Sequence, residues 1–157
     1  MEPLLKEAIR LRNEREYEKS KSILIDLAKN TNNPEVYYQC AWTHDAMGLE
    51  TEAVCYYEKA IKNGLKGESL CGAYIGLGST YRCIGQYEKA IATLKAGLKE
   101  FPDNDVMKVF LSIAKYNLKE YEEAMKLLLE TVSKLESIKE YEKPILYYKD
   151  HLNEIFK

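Results

Sequence analysis

The sequence predicts an all-α protein built as an α-solenoid of helix-turn-helix units. Three observations predict it. Apolar residues recur at helical spacing along the chain, interrupted only by short breaks. Gly and Pro are scarce, at 8 and 4 of 157 residues, too few for a turn-rich β design. One kind of segment also returns four times: REYEKSKSILIDLA, GLETEAVCYYEKAIKNG, GQYEKAIATLKAGLKEFP and KEYEEAMKLLLETV. Its central small residue is Ser20, Ala53, Ala90 and Ala124 in turn, at separations of 33, 37 and 34. A period of that size marks stacked helical pairs, in which each unit buries its apolar face against the next.

The elements follow in order. The chain reads as one domain with repeats at about 1–33, 34–70, 71–104 and 105–138. Asn33–Pro34 opens the second unit, and Asn63–Gly64 stops its second helix. A loop over Gly64–Ser69 absorbs the extra length of that unit, and Pro102 falls in the connection to the fourth. About nine helices and no strand are expected. The repeat pattern fails after Ser137. The spacing places Tyr141, Ile145, Tyr148, Leu152 and Ile155 on one helical stripe, and a helix is expected over about 143–156 with Pro144 in its first turn. This helix is expected to cap the last repeat's apolar edge. Tyr147 and Phe156 lie off the stripe and raise a second reading, a dimer contact.

Composition narrows the function. With 46% hydrophobic and 31% charged residues, the chain can bury a core without disulfides or metal. Tyr outnumbers the other aromatics, 13 against 3 Phe and 1 Trp, which suits interfaces where one end of the ring stays wet. Net charge is −2 and Lys and Glu interleave, so the basic block that holds nucleic acid is missing. No apolar run approaches the length of a membrane span or a signal-peptide core. Cys40, Cys55, Cys71 and Cys83 form no CxxC pair, and the two His lie far apart at 44 and 151. Scattered thiols of this kind read as reduced core residues rather than zinc ligands, and a cytoplasmic location is expected. No metal or cofactor is expected.

The repeat resembles the tetratricopeptide family, whose pattern is W-x2-L-G-x2-Y, then A-x3-F, then P. The third copy carries it best, with Tyr74, Leu77, Gly78, Tyr81, Ala90, Leu94 and Pro102. The second has Tyr37, Cys40, Ala41, His44, Ala53, Tyr57 and Ala60. The fourth has Lys108, Leu111, Ser112, Lys115, Ala124 and Leu128, and the first departs most, with Glu7 at an aliphatic position. The wording CAWTHDAMGLETEAVCYYEKAI and GLGSTYRCIGQYEKA is also similar to a group of small bacterial tetratricopeptide proteins associated with protein–protein interaction and dimerisation. The resemblance implies a right-handed superhelix in which small residues such as Gly78, Ala41, Ala53 and Ala90 mark close helix crossings.

The resemblance also implies a concave wall lined by the first helix of each repeat. From the first repeat come Leu5, Ile9 and Arg12, and from the second Tyr38, Trp42, Asp45 and Ala46. The third gives Gly72, Ile75, Gly76, Ser79, Arg82 and Cys83, and the fourth Val106, Val109, Ile113, Tyr116 and Asn117. Aromatic and Arg side chains of this kind anchor interfaces. Leu5, Tyr38, Ile75, Ile9, Trp42 and Ser79 stand where a carboxylate-clamping groove would carry several of its polar residues, so that clamp is not expected. Gly72, Gly76, Ser79 and Cys83 share one helical face. Either neighbouring helices crowd there or a partner packs closely against it. Asp45 and Arg82 either read a polar group or pair with each other.

Two features invite other chemistry. His44–Asp45, with Glu52, could suggest acid–base work, but His44 sits in a packing slot with no nucleophile at suitable spacing. Gly72, Gly76 and Gly78 lack the lysine of a phosphate-binding loop. Glu120, Glu122 and Glu123 read as a solvated helix face. The expected function is therefore a non-enzymatic module that receives a peptide or helix of a partner protein in its groove. The alternative is a self-associating module whose apolar faces are consumed in a homodimer.

Overall fold

The computed structural model describes residues 1–155. Its helices are α1 (Glu2–Asn13), α2 (Tyr17–Lys29), α3 (Pro34–Ala46), α4 (Glu50–Lys62), α5 (Gly67–Cys83), α6 (Tyr87–Glu100), α7 (Asp105–Asn117), α8 (Tyr121–Val132) and α9 (Glu142–Tyr148). A 3₁₀ helix, Glu136–Tyr141, precedes α9, and no strand occurs among the described residues. The chain divides into two compact units, Met1–Gln86 and Tyr87–Lys157.

The turn inside each repeat is built the same way four times. The last residues of α1, α3, α5 and α7 are followed by a residue of positive φ: Arg15, Gly48, Gly85 and Lys119. The next residue's N–H reaches back five residues, from Glu16 to Leu11, Leu49 to His44, Gln86 to Tyr81 and Glu120 to Lys115, at 2.8–3.0 Å. This is the Schellman closure of a helix end, which needs one left-handed residue and favours Gly there. The outer copies use Arg15 and Lys119 instead. Helix starts also repeat: Asn33 caps α3 through Glu35 N–H, and Asn104 caps α7 through Met107 N–H.

In the first unit each helix packs on the next, from α1 to α5. The small residues sit at full burial: Ser20, Ala41 and Ala53 expose nothing. Ser20 also donates its hydroxyl to the Ala8 carbonyl at 2.7 Å, which satisfies a polar group inside a closely packed crossing. Ala8, Leu24, Val36 and Cys40 form the innermost cluster, with Ile23, Leu27 and Tyr56 against it. The expected loop over Gly64–Ser69 is shorter than anticipated. Gly67 already starts α5, so the extra residues are wound into a 17-residue helix.

In the second unit α6 packs on α7 and α7 on α8. Ala90, Leu94, Met107 and Ala114 are fully buried, and Ala124 nearly so. The C-terminal expectation needs correcting. The helix expected over about 143–156 ends at Tyr148, and Phe156 lies outside the described residues. The cause is local. His151 Nδ1 donates to the Tyr147 carbonyl at 2.7 Å, while His151 N–H turns to Tyr148 O at 2.9 Å. A side chain thus takes an acceptor that the next helical turn would have used. The imidazole stacks on the Tyr147 ring at 4.1 Å, closing the segment back on itself.

Candidate functional site

The first unit builds its surface around the chain's single tryptophan. Trp42, on α3, is 46% exposed. Arg12 of α1 lies beneath it, buried, with its guanidinium 3.9 Å from the indole centroid. Tyr38, one turn earlier on α3, approaches the same indole at 6.0 Å and Tyr57 of α4 at 6.3 Å. Arg12 is fixed in turn by Gln39 Oε1 at 2.5 Å, and Gln39 by Glu35 at 2.6 Å. A cation held flat against an aromatic face attracts it electrostatically and restricts its motion. Trp42 is therefore an exposed aromatic on a prepared platform.

Asp45 stands at the end of α3, half-buried. Tyr57 donates to its Oδ2 at 3.2 Å, and the Thr80 hydroxyl lies 3.3 Å from its Oδ1 and 2.7 Å from the Gly76 carbonyl. Burial raises the Asp45 pKa above the usual carboxylate range, and the two hydroxyls partly offset it. Tyr57 is raised further, first by its own burial and then by the Asp45 charge. Of the two readings of Asp45 and Arg82, pairing with each other is not seen among the described residues, where Asp45 is bonded by Tyr57 and Thr80 and Arg82 Nε is buried with no hydrogen-bond partner.

The glycine face of α5 is also not an open wall. A Cβ at Gly76 would overlap Oη and Cζ of Tyr57, and one at Gly72 would overlap Oη of Tyr38. The space beside both glycines is filled by tyrosines of the preceding repeat, so they serve the packing of α5 on α3 and α4. Tyr38 is accordingly buried rather than displayed. Ile75, Ser79 and Arg82 are half-buried and Cys83 exposed.

The second unit offers a different surface. Ile113 and Tyr116 of α7 are exposed, Tyr116 at 61%, while Val109 and Asn117 are half-buried. Ile113 and Tyr116 join Ser112 of α7 and Tyr121, Ala124, Met125 and Leu128 of α8 around a cavity of about 490 Å³. A smaller one, about 240 Å³, opens between Val106, Val109, Thr131, Val132 and Leu135. Tyr116 and Tyr121 meet edge to face at 5.0 Å. Tyr121 and Met125 escaped the sequence reading, which looked only at first helices. Their spacing with Leu128, at steps of 4 and 3 on α8, was the available signal.

His44 is a packing residue. It is buried, its ring lies 5.0 Å from Tyr56, and its Nδ1 meets the Cys40 carbonyl at 2.7 Å. A carbonyl only accepts, so Nδ1 carries the proton. No cluster of three or more metal-ligating side chains occurs among the described residues. Among the described residues no helix is long and apolar enough to cross a membrane.

The known proteins agree with this architecture. A BBSome complex member BBS4 homolog of Drosophila melanogaster is 33% identical over 103 residues, covering 63% of this chain and 20% of its own length. The chain thus spans about a fifth of that relative. MamA from Desulfovibrio magneticus RS-1, residues 41 to the end, superposes with a TM-score of 0.73 at 20% identity, over 95% of this chain and 85% of MamA. YrrB, a TPR protein with an unusual peptide-binding site, superposes with a TM-score of 0.66 at 14% identity, over 96% and 85%. These two share the all-α repeat solenoid. The family's own sequence model, tetratrico peptide repeat, matches residues 34–152. The chain belongs to the tetratricopeptide repeat family.

Proposed function

We propose that this protein is a non-enzymatic interaction module that binds a peptide or helix of a partner protein, with Trp42 as the principal anchor. The family's fold serves protein–protein contacts, and YrrB is a relative of the fold with a peptide-binding site. The observation that carries the residue assignment is the Arg12–Trp42 stack. A large aromatic is left exposed while a buried cation holds it, 3.9 Å from ring to guanidinium. Exposing an indole forgoes its hydrophobic burial, and fixing it in advance lowers the ordering cost of binding. Centrally placed Trp and Arg dominate interface energetics. Arg82, half-buried on α5, belongs to the same proposed surface. The proposed surface further comprises Asp45, Ile75 and Ser79 in the first unit, with the buried Tyr38 ring supporting Trp42 from within. Val109, Ile113, Tyr116 and Asn117 belong to the second unit and are proposed as a surface of their own.

A displayed library of random peptides, selected on the whole protein, tests this. Enriched peptides should carry an apolar residue, shift the emission of the sole tryptophan on titration, and lose at least tenfold in affinity to Trp42→Ala. Peptides that bind the variant as tightly as the parent would overturn the assignment.

A further inference from the structure

We infer that Arg12 makes the Trp42 surface selective for acidic segments: the bound stretch sets an apolar residue on the indole and an Asp or Glu side chain beside it. This rests on the reading of Trp42 as the anchor and adds the charge of what the anchor takes.

The two arginines of α1 differ in a telling way. Arg10 is exposed and is held by two carboxylates, Glu7 at 2.7 Å and Glu14 at 2.6 Å. Arg12, two residues on, is 5% exposed and pairs with no carboxylate among the described residues. Its contacts are the Gln39 amide, through Nη1, and the face of the Trp42 ring. An exposed guanidinium is solvated by water and gains little from an ion pair. A buried one depends on a counter-charge, because a charge removed from water is costly unless it is compensated. Burial works against Arg12 accordingly and lowers its pKa.

The nearby acids are committed elsewhere. Glu35 stands one turn before Gln39 on α3 and accepts from Gln39 Nε2 at 2.6 Å, so the amide turns its oxygen to Arg12. The buried amide separates this carboxylate from the guanidinium, and Glu35 acts on Arg12 only from a distance. Asp45, one turn after Trp42, is bonded by Tyr57 and Thr80. Arg82, half-buried on α5, sets a second cation against the one acid Asp45 on this wall, whereas the chain as a whole carries −2. The wall of the first unit thus has the opposite sign to the protein around it, and the excess charge is that of Arg12.

The place of Arg12 decides which ligand responds. An exposed indole ordinarily takes Lys or Arg on its face. Here a cation already lies 3.9 Å behind the ring, so a second would meet a like charge through it. A group in contact with the open face sits about 4 Å from the ring, and what separates it from Arg12 is the indole rather than water. An acid beside the ring therefore feels the buried charge without touching the guanidinium. Leu5, Ile9 and Ile75 stand where a clamp for a chain terminus would carry polar residues, so the carboxylate is that of a side chain.

Two experiments on the whole protein test this, the first without peptide. Quenching of the sole tryptophan by iodide and by caesium, at equal ionic strength, should give a higher iodide-to-caesium ratio than free N-acetyltryptophanamide does. Arg12→Met should lower that ratio and Arg12→Lys should keep it. The second uses two displayed peptide libraries with the same random apolar positions, flanked by Glu in one and by Lys in the other. Enriched sequences are remade as C-terminal amides in both charge versions. Glu versions should bind about tenfold tighter than their Lys versions at low salt, with the gap narrowing as salt screens it. Arg12→Met, folded by circular dichroism, should bring the two versions to within about twofold, because the apolar replacement removes the charge and keeps the packing. Equal or tighter binding of the Lys versions in the parent overturns the proposal, whether or not Arg12→Met folds. So does a preference that survives in a folded Arg12→Met, or binding that amidation abolishes. An ordinary quenching ratio in the parent overturns the charge selectivity alone. Peptides that bind independently of Trp42 overturn the anchor and this proposal together.

Discussion

The phenol of Tyr57 fills the space where a side chain on Gly76 would stand. Its hydroxyl passes on to Asp45 at 3.2 Å, so one ring both packs α5 onto α4 and satisfies a half-buried carboxylate. Gly76→Ala must therefore push the ring or the helix away. Overpacking of this kind costs about 1–3 kcal/mol, more than the roughly 1 kcal/mol gained by replacing a helix-interior Gly. The prediction is a net loss of stability in chemical denaturation. Adding Tyr57→Leu, the residue type that the fourth repeat uses at this position, should make the pair less destabilised than the sum of the singles. Additive losses would mean that Gly76 and Tyr57 do not share a site.

This relationship also shows how far the sequence was legible. The stripe of Gly72 and Gly76 was visible from spacing, as was the close approach it demands. What filled the gap was not, because the filler lies 34 positions before Gly72 in Tyr38 and 19 before Gly76 in Tyr57, and two readings stood open. The four repeats were readable because Ser20, Ala53, Ala90 and Ala124 fall in register, and a small residue at a crossing tolerates few substitutes. The end of α9 was not. Periodicity runs on through Leu152 and Ile155, but the backbone bonds tighten to three-residue spacing at Asp150 and His151, and the His151 side chain takes the Tyr147 carbonyl. The α7–α8 cavity was missed for a similar reason, since nothing in the pattern of α8 says that its apolar stripe lacks a cover.

The four turns predict a stabilising change. Gly48 and Gly85 adopt φ of 71° and 77°, and the equivalent Arg15 and Lys119 are held at 65° and 64°. A left-handed residue with a Cβ costs about 1–2 kcal/mol, while Gly costs some of that back in unfolded-state entropy. Arg15→Gly and Lys119→Gly should each stabilise by about 0.5–1 kcal/mol in denaturant titrations. The corresponding Gly48→Ala should destabilise. A destabilised Lys119→Gly would mean that its side chain contributes more than the turn's strain.

The four thiols should separate by reactivity. Cys55 and Cys83 are exposed, whereas Cys40 is fully buried and its thiol is pushed up to about 12 by burial. The thiolate is the reactive form, so Cys40 is protected by both access and ionisation. A disulfide reagent at pH 8 should label Cys55 and Cys83 rapidly in the native protein and Cys40 only at the rate of unfolding. Peptide mapping after brief labelling reads this directly. Rapid modification of Cys40 would contradict its place in the Ala8–Leu24–Val36 cluster.

Asp45 gives the fold a pH dependence of unusual sign. Burial raises its pKa in the folded state above the ordinary 3.8. Between the unfolded and folded values the native protein then binds more protons than the unfolded chain. Since the slope of unfolding free energy with pH follows protons bound unfolded minus folded, it is negative there. Asp45 therefore contributes less to stability as pH rises from about 4 through its folded pKa, and its effect is flat above that. Most carboxylates do the reverse, so the measurement must be a difference. Asp45→Asn keeps an acceptor for Thr80 and cannot ionise. Its stability relative to the parent, from denaturant titrations at pH 3.5 to 7.5, should improve with pH and level off. A relative stability that instead falls as pH rises would show the ionised carboxylate to be favoured between Tyr57 and Thr80, their hydrogen bonds outweighing its desolvation.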